Sequence, residues 1–304
     1  MEHKKITRLS FLFFLASVLI FCISLFFAHS RSISPRPFLS AILNPSKEKK
    51  INKITILTDE NERLELKKIN SNWFATLFND EGATTARAEN SLLESFVKKV
   101  AKIRPLYKIS ENPSDFSAFA LKENAAVVEF FSDEERAIKV LFGLRDALSS
   151  RIFFRNDDKT VFETEDDFSQ FLTTSLDFWA CGEFFSAITE TDVQSVRFVA
   201  PEKQLDFKAD ASNDDFSSLA HSLLILRHGN VKNARFFGES RLVATLFVFS
   251  GNGNAVKLEI FENAEKVHFS KKTEWGREGE EIVAENAFYE MSDWTFEKIF
   301  SLFS

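Results

Sequence analysis

Phe11 to Phe27 reads FLFFLASVLIFCISLFF, seventeen residues without a charge, and Lys4, Lys5 and Arg8 precede it. A helix of that length reaches about 26 Å, close to the hydrocarbon thickness of a bilayer. The stretch predicts a transmembrane anchor over 11–28, with the lipid bilayer as its partner. The cationic flank predicts a cytoplasmic tail at 1–10 and an extracytoplasmic remainder, as in a single-pass protein of the bacterial cytoplasmic membrane. A signal peptide cut near Ala28-His29-Ser30 is the competing reading, but its apolar core would run ~7–15 residues and this one is longer. Cys22 follows the bulky Phe21, which argues against a lipidated cysteine.

Composition narrows the rest. The chain carries a net charge of −7, and the first thirty residues are net +2, so −9 falls on the remaining 274. An acidic body excludes the basic footprint of a nucleic-acid binder. Phenylalanine occurs 36 times against two tyrosines, which predicts an aromatic interior with few phenolic hydroxyls. Cys181 is the only cysteine beyond the apolar stretch, so no internal disulfide can form there, and its Phe178-Trp179-Ala180 neighbours predict a buried small hydrophobe rather than a nucleophile.

From Arg31 to Lys50 the chain carries three prolines and four serines and ends on Lys-Glu-Lys-Lys, which predicts a linker over 29–50. Short β-branched or aromatic runs follow at Lys53 to Thr58, Arg63 to Ile69 and Trp73 to Phe78, separated by turn residues. Ser91 and Glu94 predict a capping box. Leu92, Leu93, Phe96, Val97, Val100 and Ile103 form one apolar helix face, and Lys98, Lys99, Lys102 and Arg104 crowd its end before Pro105, where they oppose the helix dipole. Strands recur at Ala125 to Phe131, Ala137 to Phe142, Arg151 to Phe154 and Thr160 to Phe162, and a short helix is expected over Asp166 to Thr173.

The order then repeats. Strand patterns at Val193 to Val199 and Gln204 to Lys208 precede a helix at Asp214 to Arg227. Further strands follow at Asn233 to Phe237, Leu242 to Phe249, Ala255 to Phe261 and Lys266 to Ser270, and a helix at Trp294 to Phe303 closes the set. The expected fold class is α+β: a transmembrane helix followed by two tandem repeat units, 51–184 and 185–304, each a largely antiparallel sheet with one long and one short helix.

No motif names a reaction. His221 and His228 are seven apart, without the spacing that lets two histidines on one helix grip a metal. The acidic runs Asp133-Glu134-Glu135, Asp157-Asp158, Asp166-Asp167 and Asp214-Asp215 fall in expected turns or helix starts and lack the order of a calcium loop. Gly251-Asn252-Gly253-Asn254 lies between two strand patterns and reads as a hairpin turn, not a phosphate loop. No catalytic, cofactor-binding or metal-binding residue is expected.

Phe119-Ala120-Leu121, Val127 to Phe130, Val140-Leu141-Phe142-Gly143, Ser150 to Phe154 and Val161-Phe162-Glu163 follow one another in an order that resembles the bacterial family named domain of unknown function 4340. Ile54 to Ile56 and Asn72-Trp73-Phe74 match its opening strand and its tryptophan strand, and Phe-Ala-Leu departs from the family's Tyr-Gly-Leu. The resemblance covers about 51–184. It implies a membrane-anchored, non-enzymatic accessory protein, with an ABC transporter permease or other envelope proteins as partners. A glycan- or ligand-binding module using Trp275 or Trp294 is the alternative expectation, and an uncharacterised hydrolase the third.

Overall fold

A computed structural model describes residue 17 and residues 36–59, 62–122, 125–145, 151–156, 159–209, 214–233, 235, 238–276 and 285–304. Two antiparallel sheets dominate it. The first contains β1 (Phe38–Ser40), β2 (Ile51–Asp59), β3 (Glu62–Ile69), β4 (Asn72–Asn79), β5 (Gly82–Arg87), β6 (Arg104–Ser110), β7 (Ala126–Ser132), β8 (Glu135–Arg145), β9 (Ile152–Arg155) and β10 (Val161–Thr164), in the order β1-β6-β10-β9-β8-β7-β2-β3-β4-β5. The second contains β11 (Val193–Ala200), β12 (Lys203–Lys208), β13 (Val231–Lys232), β14 (Ser240–Ser250), β15 (Ala255–Asn263), β16 (His268–Trp275) and β17 (Phe288–Met291), in the order β12-β11-β14-β15-β16-β17-β13.

The helices are α1 (Asn90–Ala101), α2 (Leu176–Trp179), α3 (Asp214–Leu224) and α4 (Asp293–Leu302). If β11 and β12 are set against β2 and β3, β13 against β6, and β14 to β17 against β7 to β10, the second sheet has the order of the central strands of the first. α1 and α3 precede β6 and β13, while α2 and α4 follow β10 and β17. The first sheet adds the β4–β5 hairpin and β1.

The expected fold class is corrected. Antiparallel sheet predominates, and no helix among the described residues is long and apolar enough to cross a membrane. The longest, α1, has twelve residues, about 18 Å, against the ~30 Å of a hydrocarbon core. The transmembrane helix and the single-pass placement in the bacterial cytoplasmic membrane therefore have no support in the structure, and the segment 11–28 that suggested them lies, apart from Ser17, outside the described residues. So do Cys22 and Ala28 to Ser30.

The described part of the expected linker is also built into the fold. Its residues form β1 and a 3-10 turn, Pro45–Lys50, capped by the Asn44 side chain. Ile42 and Leu43 lie in the core, where the Leu43 amide donates to the Val100 carbonyl. Two apolar residues between prolines and serines were enough to dock a segment whose composition otherwise suits a tether.

α1 starts at Asn90 and is capped by Glu89, whose carboxylate accepts the Ser91 amide and hydroxyl, in place of the expected Ser91–Glu94 box. Its inward face is Leu93, Phe96, Val97, Val100 and Ala101; Ile103 falls beyond the helix end and is exposed. Phe96 stacks on Phe171 with ring centres 4.7 Å apart and lies 5.9 Å from Trp179. The helix expected over Asp166 to Thr173 is instead a 3-10 turn at Ser169–Phe171, followed by α2. Across the second sheet, Phe198 stacks on Phe303 at 4.5 Å. One large core of buried residues runs from Ile42 to Phe303 through both sheets, and Phe116, Leu121, Ala125, Leu141 and Val161 form a second, smaller cluster.

Two backbone positions in the first sheet constrain its packing. A Cβ at Gly143 in β8 would stand 2.1 Å from the Phe119 carbonyl oxygen, so only glycine allows that strand and the 3-10 turn Pro113–Phe119 to approach. Ala120, which caps that turn, has φ +52°, a left-handed conformation that costs a non-glycine residue roughly 1–2 kcal/mol. Replacing Ala120 with glycine relieves that strain, though it also frees the unfolded chain. Urea unfolding should show Ala120→Gly more stable by about 0.5–1 kcal/mol, whereas Gly143→Ala should be markedly destabilised.

Candidate functional site

The ionisable groups most removed from water lie where the two sheets meet. β5 is an edge strand of the first sheet, and its free side is closed by other parts of the chain. The Ala287 amide donates to the Thr85 carbonyl, the Asn286 side chain bridges Ala83 and Thr85, and the Cys181 amide donates to the Arg87 carbonyl. Arg87 ends β5 and reaches across to Glu274 of β16, with its second terminal nitrogen held by the Asn72 side chain at 2.7 Å.

Ser270, Lys272 and Glu274 alternate on the inward face of β16. Lys272 Nζ lies 3.1 Å from the Glu274 carboxylate and 3.5 Å from that of Glu285, and the Tyr289 hydroxyl donates to Glu285 at 2.5 Å. These five side chains are almost wholly buried, none above 6% exposed. Two cations face two anions, so the cluster is neutral overall, as burial requires.

Each shift follows from this surrounding. Burial alone would lower the Lys272 ammonium, but the Glu285 and Glu274 carboxylates outweigh it and hold its pKa above the ordinary lysine value. Burial would raise Glu274, yet Lys272 and Arg87 keep it below the ordinary range. Glu285 is raised, because burial outweighs its pairing with Lys272. Tyr289 is pushed well above its ordinary value by burial and by Glu285 beside it. Such perturbed groups often mark active sites, but here they are closed to any substrate, and the geometry is that of a structural lock.

Sequence reading did not find this cluster. Arg87 is 187 positions from Glu274, and Lys272, Glu274 and Glu285 share no motif. The one available signal was β16 itself, in which opposite charges two apart sit on one face of a strand. A buried face carrying Lys and Glu at that spacing needs internal pairing.

The residues singled out in the sequence are placed elsewhere. Cys181 is buried, and His228 meets its backbone oxygen, not its sulfur: the ring nitrogens lie 2.6 Å from the Cys181 carbonyl and 2.7 Å from that of Gly229. Burial lowers the His228 pKa, so the ring is neutral at pH 7 and donates to one of the two carbonyls. His221 is on the surface, 2.9 Å from Glu190. Asp133 pairs with Asn52 in the β7–β8 turn. Asp166 pairs with the buried Arg104 at 2.6 Å, and Asp167 accepts the Ser169 amide, which lowers its pKa. Asp215 lies in the first turn of α3, and Asp157 and Asp158 lie outside the described residues.

Lys99 donates to the Asp167 carbonyl and Lys98 pairs with Glu94 at 3.9 Å, so both lysines in the last turn of α1 are tied into the fold. Gly251 to Asn254 connect β14 to β15. Trp275 lies under Lys257 at 5.7 Å, and Trp294 is exposed alone on α4. Among the described residues no group of His, Cys, Asp or Glu is arranged to hold a metal.

The remaining candidate is a surface. Of the four sheet edges, β5 is closed by the chain, β12 is polar and exposed with Lys203, Asp206 and Lys208, and β13 is only two residues long. β1 pairs with β6 on one side, and no described residue pairs with the other. Leu39 of β1 is 75% exposed and Ile103 61%, and both line a groove of about 550 Å³ with Ile42, Ala137 and Ile138. An unprotected edge with apolar residues beside it is a template for pairing with another chain.

No model of a known protein family matches the chain, and no curated protein matches it.

The charge cluster yields a prediction. Lys272→Met should cost about 3–5 kcal/mol in urea unfolding at pH 7, because it leaves an excess anion buried. Lys272→Met with Glu285→Gln should recover much of that loss. Since the Lys272 pKa is raised on folding, its contribution is complete below the ordinary lysine value and is lost as pH rises above it. Glu274, lowered on folding, contributes above the ordinary glutamate value and loses that contribution as pH falls below it. The Lys272 variants should therefore show a weaker alkaline pH dependence than the unaltered chain, keeping the part that the raised Tyr289 contributes.

Proposed function

We propose that the protein is a non-catalytic accessory protein that works by docking a partner protein, and that the partner belongs to ABC-type transport or envelope machinery. The observation that carries the docking role is the open edge of β1 with Leu39 and Ile103 exposed beside it. A partner strand could extend the first sheet there by backbone hydrogen bonds and bury those side chains in the adjoining groove.

The partner class rests on the resemblance to the domain of unknown function 4340 family. The resemblance gains some physical sense from Ala120, which holds a left-handed conformation at the position where that family carries glycine, and from Gly143, whose neighbours leave no room for a side chain. No membrane placement enters the proposal. Trp294, 65% exposed, favours a second reading as a glycan-binding module, but it stands without an aromatic neighbour on the described surface to complete a stacking platform.

Affinity purification of the chain, with bound proteins identified by mass spectrometry, should recover transporter permease or ATPase subunits. Leu39→Asp with Ile103→Asp should abolish that recovery while the melting temperature stays within about 2 °C, since both side chains are already in water. Equal recovery with the double variant would move the docking surface elsewhere. Glycan capture that Trp294→Ala removes would put the second reading first.

A further inference from the structure

The two sheets repeat one strand order, and the repeat breaks off beside β12. β3 is accompanied along its whole length by β4, from Ile69 opposite Asn72 to Arg63 opposite Phe78, whereas its counterpart β12 pairs only with β11. In the chain the β4–β5 hairpin lies between β3 and α1. The corresponding connection, between Lys208 of β12 and Asp214 of α3, is 209–213, five residues, too short for two strands and a turn.

The first unit shows what belongs at such an edge. β4 packs against α1 and α2, and its inward side chains Trp73 and Ala75 lie in the core. By their places in the chain, α3 and α4 are the counterparts of those two helices. Together with β12 they line a cleft of about 620 Å³. Phe216 and Leu219 of α3 are buried at its floor, and Phe207 and Leu302 are half-buried beside them. The cleft therefore lies where a fourth strand of the second unit would pack. β12 is patterned for it: Leu205 and Phe207 stand opposite the buried Phe198 and Val196, while Asp206, paired with Arg197, is on the other face of the sheet.

We infer that the β12 edge takes an extended strand from a partner protein, with apolar side chains at alternate positions, one of them large, set into the cleft as Trp73 and Ala75 are set against α1 and α2. Backbone hydrogen bonds along the six residues of β12 supply affinity, and the cleft selects the side chain. Every described strand of a second copy is already built into its own sheets, so a free strand of another protein is the occupant. This surface is separate from the β1 edge and does not rest on the docking reading given to it.

The test is fluorescence anisotropy of the full chain with a labelled peptide of the β4 sequence, Asn72 to Asn79, extended by a charged tail for solubility. The peptide should bind saturably, with a dissociation constant on the order of 100 μM or below. The same peptide with its backbone amides N-methylated, or with Trp73→Asp, should bind about tenfold more weakly or less. In the chain, Ser218→Arg with Ser222→Arg, at solvent-accessible positions lining the cleft, should weaken binding about tenfold or more while the melting temperature stays within about 2 °C. Leu39→Asp with Ile103→Asp should leave the affinity unchanged. The proposal is overturned if the peptide does not bind, if the N-methylated peptide binds equally, or if the double arginine variant binds as tightly as the unaltered chain. It is also overturned if the Leu39 and Ile103 substitutions abolish binding, which would put the strand at β1, or if the unaltered chain alone forms a dimer that the arginine substitutions dissolve.

Discussion

The neutral cluster of Arg87, Lys272, Glu274 and Glu285 is the interaction on which the architecture turns. Two sheets of antiparallel strands can each bury one face, but joining them requires an edge to be closed. β5 supplies that edge, and it has little apolar side-chain area to offer, since its sequence is Gly-Ala-Thr-Thr-Ala-Arg. The join is made instead by backbone hydrogen bonds to Ala287 and Cys181, by the Asn286 side chain, and by an arginine that must find an anion in the other sheet. Desolvating these charges is costly, so the cluster contributes less to net stability than to the choice of one arrangement, because a misaligned junction would leave a charge unpaired.

That closure divides the molecule into a finished side and an unfinished one. The β5 edge is satisfied internally, the β12 edge is charged, and β13 is too short to template a partner strand. Among the described residues, only the β1 edge combines backbone groups without a partner strand with exposed apolar side chains. The protein's ionisable residues are concentrated in pairs that hold the fold. What faces outward in a form suited to recognition is the β1 edge, together with the cleft beside β12.

The strands with one buried face were readable from the sequence. Alternation over Leu242 to Phe249 and Ala255 to Phe261 lies inside β14 and β15, which bury every second residue. The apolar stripe of α1 was readable for the same reason, except at Ile103, where the helix had already ended. β5 was invisible because its own residues carry no hydrophobic pattern, and the residues that close its free edge, Asn286 and Ala287, lie about two hundred positions away. The segment before β2 was misread because composition reports average polarity, whereas Ile42 and Leu43 alone decide that it packs. The charge cluster escaped for the reason β5 did: alternation marks which residues share a face, but not which face another sheet will cover.

The central claim is that the buried cluster makes the two sheets one cooperative body. Hydrogen exchange read by mass spectrometry in increasing urea tests it most directly, by comparing peptides from β2 and β7 with peptides from β14 and β15. A single cooperative unit predicts that all four lose protection at the same urea concentration, and that Lys272→Met lowers this midpoint for all of them together. Loss of protection in β14 and β15 at clearly lower urea, with β2 and β7 still protected in the unaltered chain, would contradict it.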